Sequence, residues 1–244
     1  MSDAKTIWLF RDTLSKAKVI EDLFSEFNNM LETKGVITHK GTIVNATFVD
    51  APRQRNSRKD NQTIKKGETP EEWLADTPDA KHKLAQKDAD ARWTMKNKEL
   101  HYGYKDHAKV DAESKIITDN EVTAASVHDS NVFLGFITKK DTNIYADSAY
   151  AHFAAQLPEG ITSHICEKGY RGTPLTEAQK ESNRVKSKVR CRIEHVFGFM
   201  TGSMHGINVR SIGKKRAEFS IGLTNLVYNL CRHSILKRQR LAVG

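Results

Sequence analysis

An α/β fold, a mixed sheet flanked by helices with a polar insertion after the first strand, is what this sequence predicts. Three observations carry that expectation. Short segments rich in Val, Ile and Thr alternate with stretches whose apolar residues recur every three or four positions. Residues 52–100 turn polar and charged, broken by Gly67, Pro70 and Pro78. The last third of the chain holds two long helical patterns. A chain of 244 residues suits one domain carrying an insertion.

In chain order, Ile7, Phe10 and Leu14, then Ile20, Leu23, Phe24, Phe27 and Leu31 predict two helices ending at Gly35, a helical segment over residues 1–35. Residues 36–244 then form the main domain. Its first strand is Gly41 to Asp50, with Asn45 along it. The insertion at 52–100 offers only Trp73, Leu74, Leu84 and Trp93 as apolar anchors. Tyr102 to Val110 and Ile116 to Thr123 read as two strands around the turn at 111–115, completing a meander. Ser126 or His128-Asp129 caps a helix through Phe133, Leu134 and Ile137. Thr142 to Ala146 returns as a strand that delivers Asp147 at its end, and Ile161 to Cys166 makes a fifth. From Thr176 one long helix places Val185, Val189, Ile193, Val196 and Met200 on a single face, with Glu194 at its border. A last helix, Lys215 to Leu236, is apolar on several sides and is expected to be buried.

The net charge of +9 is uneven. From Lys168 to Gly244 there are 16 Lys/Arg against 4 Asp/Glu, and the preceding part has 23 against 26. A basic C-terminal third points to a polyanionic partner, because neutralising phosphates releases condensed counterions. No run is long and apolar enough for a membrane span and no secretory signal opens the chain, so a cytoplasmic location is expected. Cys166, Cys191 and Cys231 lack zinc-site spacing and are expected to be structural thiols.

Asp147 at a strand end and Glu194 on a basic helix suggest a metal-dependent nuclease. Hard divalent cations prefer oxygen ligands, and in-line phosphodiester cleavage is favoured when carboxylates from different elements hold two of them. A third acid is therefore expected earlier in the chain. The first strand has an amide there, Asn45; Asp50 lies five residues on, and would need a bulge to reach the same face. Lys186, Arg190 and Glu194 are spaced i, i+4, i+8, so two cations are expected beside the acid, facing phosphate. Arg192 and the cations Arg53 and Arg55, just after the first strand, are further candidates for DNA contact.

Seven blocks in order resemble the DDE transposases of bacterial insertion sequences, specifically the insertion-sequence-five family. They are Gly41 to Val49, Pro52 to Asn56, Gln86 to Trp93, Tyr102 to Lys105, Val127 to Ser130, Ala146 to Tyr150 and Arg192 to Gly198. The resemblance implies an RNase H-like catalytic domain and a catalytic triad at the positions of Asn45, Asp147 and Glu194. It implies Mg2+, with Mn2+ as a substitute, held by Asp147 and Glu194; substitution by Asp50 is one explanation for the missing third acid. It also implies strand cleavage and strand transfer on double-stranded DNA, at transposon ends and target, by a homo-oligomer. Family members carry an Asp where this chain has Asn45, and more chain before the segment at Thr6 to Arg11. These departures frame the alternative, a catalytically inactive, truncated DNA-binding derivative.

Overall fold

The computed structural model describes residues 3–52, 57–207 and 209–243. Its centre is a six-stranded mixed sheet: β1 (Thr42–Asp50), β2 (Arg92–Lys96), β3 (Glu99–Asp111), β4 (Ile117–Ala124), β5 (Asn143–Ala146) and β6 (Thr162–Ile165). The order is β2-β3-β1-β5-β6, with β4 also paired to β3. β3 is antiparallel to β1, β2 and β4, whereas β5 runs parallel to β1 and β6 parallel to β5. The sheet is the expected mixed one, with a sixth strand.

That extra strand lies in the predicted insertion. Its first part is helical, α3 (Arg58–Lys65), α4 (Glu71–Leu74) and α5 (Pro78–Ala85), with Ile64, Trp73 and Ala80 buried. Leu74, Leu84 and Trp93, expected as anchors, are exposed. Its last part folds as the β2–β3 hairpin. The two turn residues Asn97 and Lys98 both adopt positive φ, 52° and 67°, the conformation a tight hairpin requires. Asn favours it; Lys in place of Gly hides the turn signal.

Helices cover both faces. Strand alternation sends Val44, Ile144 and Ala146 toward α6 (Ser130–Phe136) and a 3₁₀ helix (Ser148–Gln156), where they pack with Phe133 and Tyr150. The same face carries buried charges. Lys109 bonds the Asp141 carboxylate and the Phe136 carbonyl, each at 2.8 Å. Lys105 bonds Asp129 at 2.8 Å. Asp129 does sit at the helix N-cap, but its carboxylate takes Lys105 instead of capping.

The opposite face sends Ile43, Ala108 and Val110 against α2 (Val19–Thr33), α8 (Arg192–Gly202) and α9 (Lys214–Val243). The predicted single helix from Thr176 is two, α7 (Glu177–Arg190) and α8, meeting at Cys191. Thr176 and Gln179 form a capping box at the start of α7. α7 has no buried residue and Val185 is exposed, so the apolar stripe belongs to α8, through Ile193, Val196 and Met200. Helix α1 (Ala4–Lys16) leaves Ile7 and Phe10 exposed and is fastened to α9 by polar groups, with Asp12 2.8 Å from Arg216.

Asp88 and Asp90, from a block singled out in the sequence, turn out to be structural. Asp88 accepts the Tyr104 hydroxyl at 2.8 Å and 2.9 Å and the Gly213 N–H at 3.2 Å, while Asp90 accepts the Lys214 N–H at 2.9 Å. Two carboxylates thus sit at the positive end of α9.

Another buried acid, Asp106, points at α9, and its Oδ1 accepts from the Asn225 side-chain amide at 3.1 Å. Its Oδ2 has no partner. Burial pushes this carboxyl up to about 7, the Asn225 bond opposing. Because the folded value exceeds the unfolded one, the stability Asp106 contributes is full below pH ~4 and is lost as pH rises through about 7. Asp106→Asn is therefore expected to raise the melting temperature at pH 8 by several degrees and to flatten the decline between pH 5 and pH 8, read by thermal denaturation at both pH values.

Candidate active site

The site begins with strand register. β1 pairs with β5 through Thr42 with Ile144 and Ile43 with Tyr145. Continuing that register by two residues sets Asp147 beside Asn45. Both then fall on the face of Ile43 and Tyr145, the one packed by α8. The pairing itself ends at Ile43 with Tyr145, so it is the continued register, not a recorded contact, that relates these two sequence-predicted residues about a hundred positions apart.

Each has a local partner. Asn45 Oδ1 accepts the N–H of Ala46 at 2.9 Å. Asp147 is the N-cap of the 3₁₀ helix, its Oδ1 accepting the Ala149 N–H at 2.7 Å. That bond fixes the carboxylate at the strand end. Tyr150, one turn on, is buried with its hydroxyl unpartnered, and burial raises its pKa, with the charges of Asp129 and Asp147 adding to the rise.

Glu194 lies in the first turn of α8, directly after Ile193, which is buried in the cluster containing Ile43. Its side chain is 56% exposed and lies 3.3 Å from Arg190, one turn earlier. The helical spacing thus gives an ion pair across the α7–α8 break. Lys186 is not part of it. Its ammonium bonds the Ile165 carbonyl at 3.1 Å and Glu167 at 3.4 Å, at the end of β6. The expectation that Lys186 and Arg190 project together beside Glu194 is corrected accordingly: Lys186 is drawn to the β6 end by a carbonyl and a carboxylate. Arg192 points to the turn between β3 and β4, donating to the Ala112 carbonyl at 2.7 Å. Arg53 and Arg55 lie outside the described residues.

Asp50 is the last residue of β1, and the β1–β3 pairing runs from Thr42–Asp111 to Asp50–Gly103 without a register shift. With no bulge, alternation keeps Asp50 on the face of Phe48, opposite that of Asn45. The imidazole of His101 lies 3.9 Å from its carboxylate. The geometry therefore gives Asp50 no place beside Asp147 as a substitute ligand.

Among the described residues no group of three His, Cys, Asp or Glu side chains is placed to hold a metal ion. What the face does offer is oxygen donors of the kind a hard divalent cation takes, an amide at Asn45 and a carboxylate at Asp147, with the Glu194 carboxylate on the helix above. By donor type these oxygens suit a hard divalent cation, and the amide at position 45 contributes no charge to it. No described helix is long and apolar enough to cross a membrane.

Residues 38–230 match the sequence model of a family described as Transposase DDE domain. No solved structure matches the chain.

Proposed function

The chain belongs to the Transposase DDE domain family, and from that premise we propose that it is an insertion-sequence transposase of the insertion-sequence-five group, built to cut and join DNA strands. The observation that supports the reading is the parallel β1–β5 pairing of Thr42 with Ile144 and Ile43 with Tyr145, whose continuation would put Asn45 level with Asp147 on the face that α8 covers.

In this reading Asp147 and Glu194 would hold a divalent cation, magnesium or manganese, and Asn45 would lend an amide oxygen. The chemistry such an ion supplies is electrostatic stabilisation of an in-line displacement at phosphorus. The protein's part is positioning. The Ala149 N–H holds the Asp147 carboxylate, and the Arg190 guanidinium, 3.3 Å from Glu194, restrains that side chain while leaving donors for a phosphate oxygen.

A second reading is favoured by Asn45 itself. An amide brings no charge and cannot bridge two cations, so a protein of this design binds DNA without cutting it. Plasmid nicking in magnesium or manganese, with Asp147→Ala as control, separates the two. Nicking that disappears in the control supports the transposase; duplex binding that weakens with salt, without nicking, supports the binding derivative.

A further inference from the structure

We propose that Lys115, Arg192, His195 and Arg232 form a second phosphate site, which grips the DNA backbone away from the cleavage face. The proposal rests on the DNA-binding reading above.

These four basic side chains come from three separate elements and meet at the turn between β3 and β4. Arg192 reaches the Ala112 carbonyl at 2.7 Å from α8, and Arg232 reaches the Ser114 carbonyl at 2.7 Å from α9. The turn residue Lys115 places its ammonium 2.9 Å from His195 Nδ1. The Tyr228 hydroxyl fixes the turn by donating to the Lys115 carbonyl at 2.8 Å.

Among the described residues no carboxylate pairs with any of the four. Glu194, next in sequence, is taken by Arg190. Asp111, in the same turn, is buried and spends its oxygens on Thr38, His39, Glu113 and Ser114. The crowding of like charge is felt: burial, then Arg232 and Arg192, hold the Lys115 ammonium below its usual pKa.

A half-buried cluster of this kind is relieved by an anion with several acceptor oxygens. Lys115, Arg192 and Arg232 each have donors left over. Arg192 uses Nη1 and Arg232 uses Nε on the turn carbonyls, and guanidinium forks match phosphate oxygens. Location decides which phosphate. Ala112 bonds Gly41 at the start of β1, four residues before Asn45, a separation of roughly 13 Å along the strand. A duplex seated on the cleavage face would extend over this turn, so its backbone phosphate is the ligand we assign.

Lys115 is the residue to change, because its side chain carries none of the carbonyl bonds that fasten the turn. Lys18→Glu is the matched control: an exposed lysine that also has positive φ, 54° against 60° for Lys115. Binding of a labelled duplex is measured by fluorescence anisotropy between ~50 and ~200 mM salt, with melting curves to verify folding. Lys115→Glu is expected to weaken binding about tenfold or more and to lower the salt slope by about 0.9 for the lost contact. Lys115→Gln should show the same change in smaller measure. Weakening no greater than that of Lys18→Glu, with an unchanged slope, overturns the site while leaving the transposase reading intact. If inorganic phosphate stabilises the parent protein but not Lys115→Glu, while duplex affinity is equal in both, the site takes free anions and the DNA assignment is wrong. A parent protein that fails to bind duplex even at low salt removes the reading and the site together.

Discussion

Asn45→Asp is expected to raise magnesium-dependent DNA nicking by roughly 10²–10³-fold over the parent chain, and Asp147→Ala to abolish the gain. The magnitude follows from charge. Two unit charges ~4 Å apart at an effective dielectric constant near 20 attract by ~4 kcal/mol, and each ~1.4 kcal/mol is about tenfold in rate. The substitution changes one atom type on a strand whose pairing to β3 is regular from Thr42 to Asp50, so the scaffold is retained. Its side effect is small: the new carboxylate oxygen still accepts the Ala46 N–H that Asn45 Oδ1 accepts now. The readout is conversion of supercoiled plasmid to the open circle, with magnesium and with chelator. Equal, absent nicking in both proteins would refute the assignment of position 45 as the missing ligand.

Gly103→Ala is expected to destabilise the fold by more than ~3 kcal/mol, read as a lowered urea midpoint or as insoluble protein. Gly103 sits on β3 where Asp50 of β1 and Arg92 of β2 both pair with it. Its φ is 149°, and a Cβ there would run into the Val49 carbonyl oxygen and come 2.6 Å from Ala51 N. Both obstacles are backbone, so no rotamer change relieves them. Gly198→Ala is the contrast, on helix α8 with nothing within 4 Å of the added carbon. It should be neutral or stabilising by about 0.5–1 kcal/mol.

Much of this fold was legible in the residues because local periodicity decides it. β1, β4 and β5 lie within a residue or so of where their Val, Ile and Thr content predicts. Three things were not legible. The β2–β3 hairpin was hidden because Asn97-Lys98 adopts a turn usually marked by glycine. The break at Cys191 carries no Pro or Gly, so α7 and α8 read as one helix and Val185 as part of a buried stripe. The fastening of α9 by Asp88 and Asp90 joins segments about 125 positions apart, which no local pattern reveals. At the site, the identities of Asn45, Asp147 and Glu194 could be picked from sequence, and so could the face of Asp50, by counting alternation. The neighbourhood of Asn45 and Asp147 needed the parallel register. The destinations of Lys186 and Arg192 needed tertiary partners, the Ile165 and Ala112 carbonyls. The gathering of Lys115 with Arg192 and Arg232 had no sequence signal at all.

Helix α9 closes the molecule on its own beginning. Ser15 bonds the Lys215 carbonyl, Asp12 meets Arg216, and Asn28 meets Asn229, spanning about two hundred positions each. The same helix buries Asp106 and supplies Asn229 to Ile117 on β4. While the chain is being synthesised, the part of the sheet that α9 covers, and the first two helices, must therefore wait for the thirty residues of that helix. A message cut short before residue 214 yields a polypeptide that carries positions 45, 147 and 194 yet lacks the lid over its own interior. Closure of the interior is thus tied to the synthesis of α9, whatever the state of the residues on the sheet.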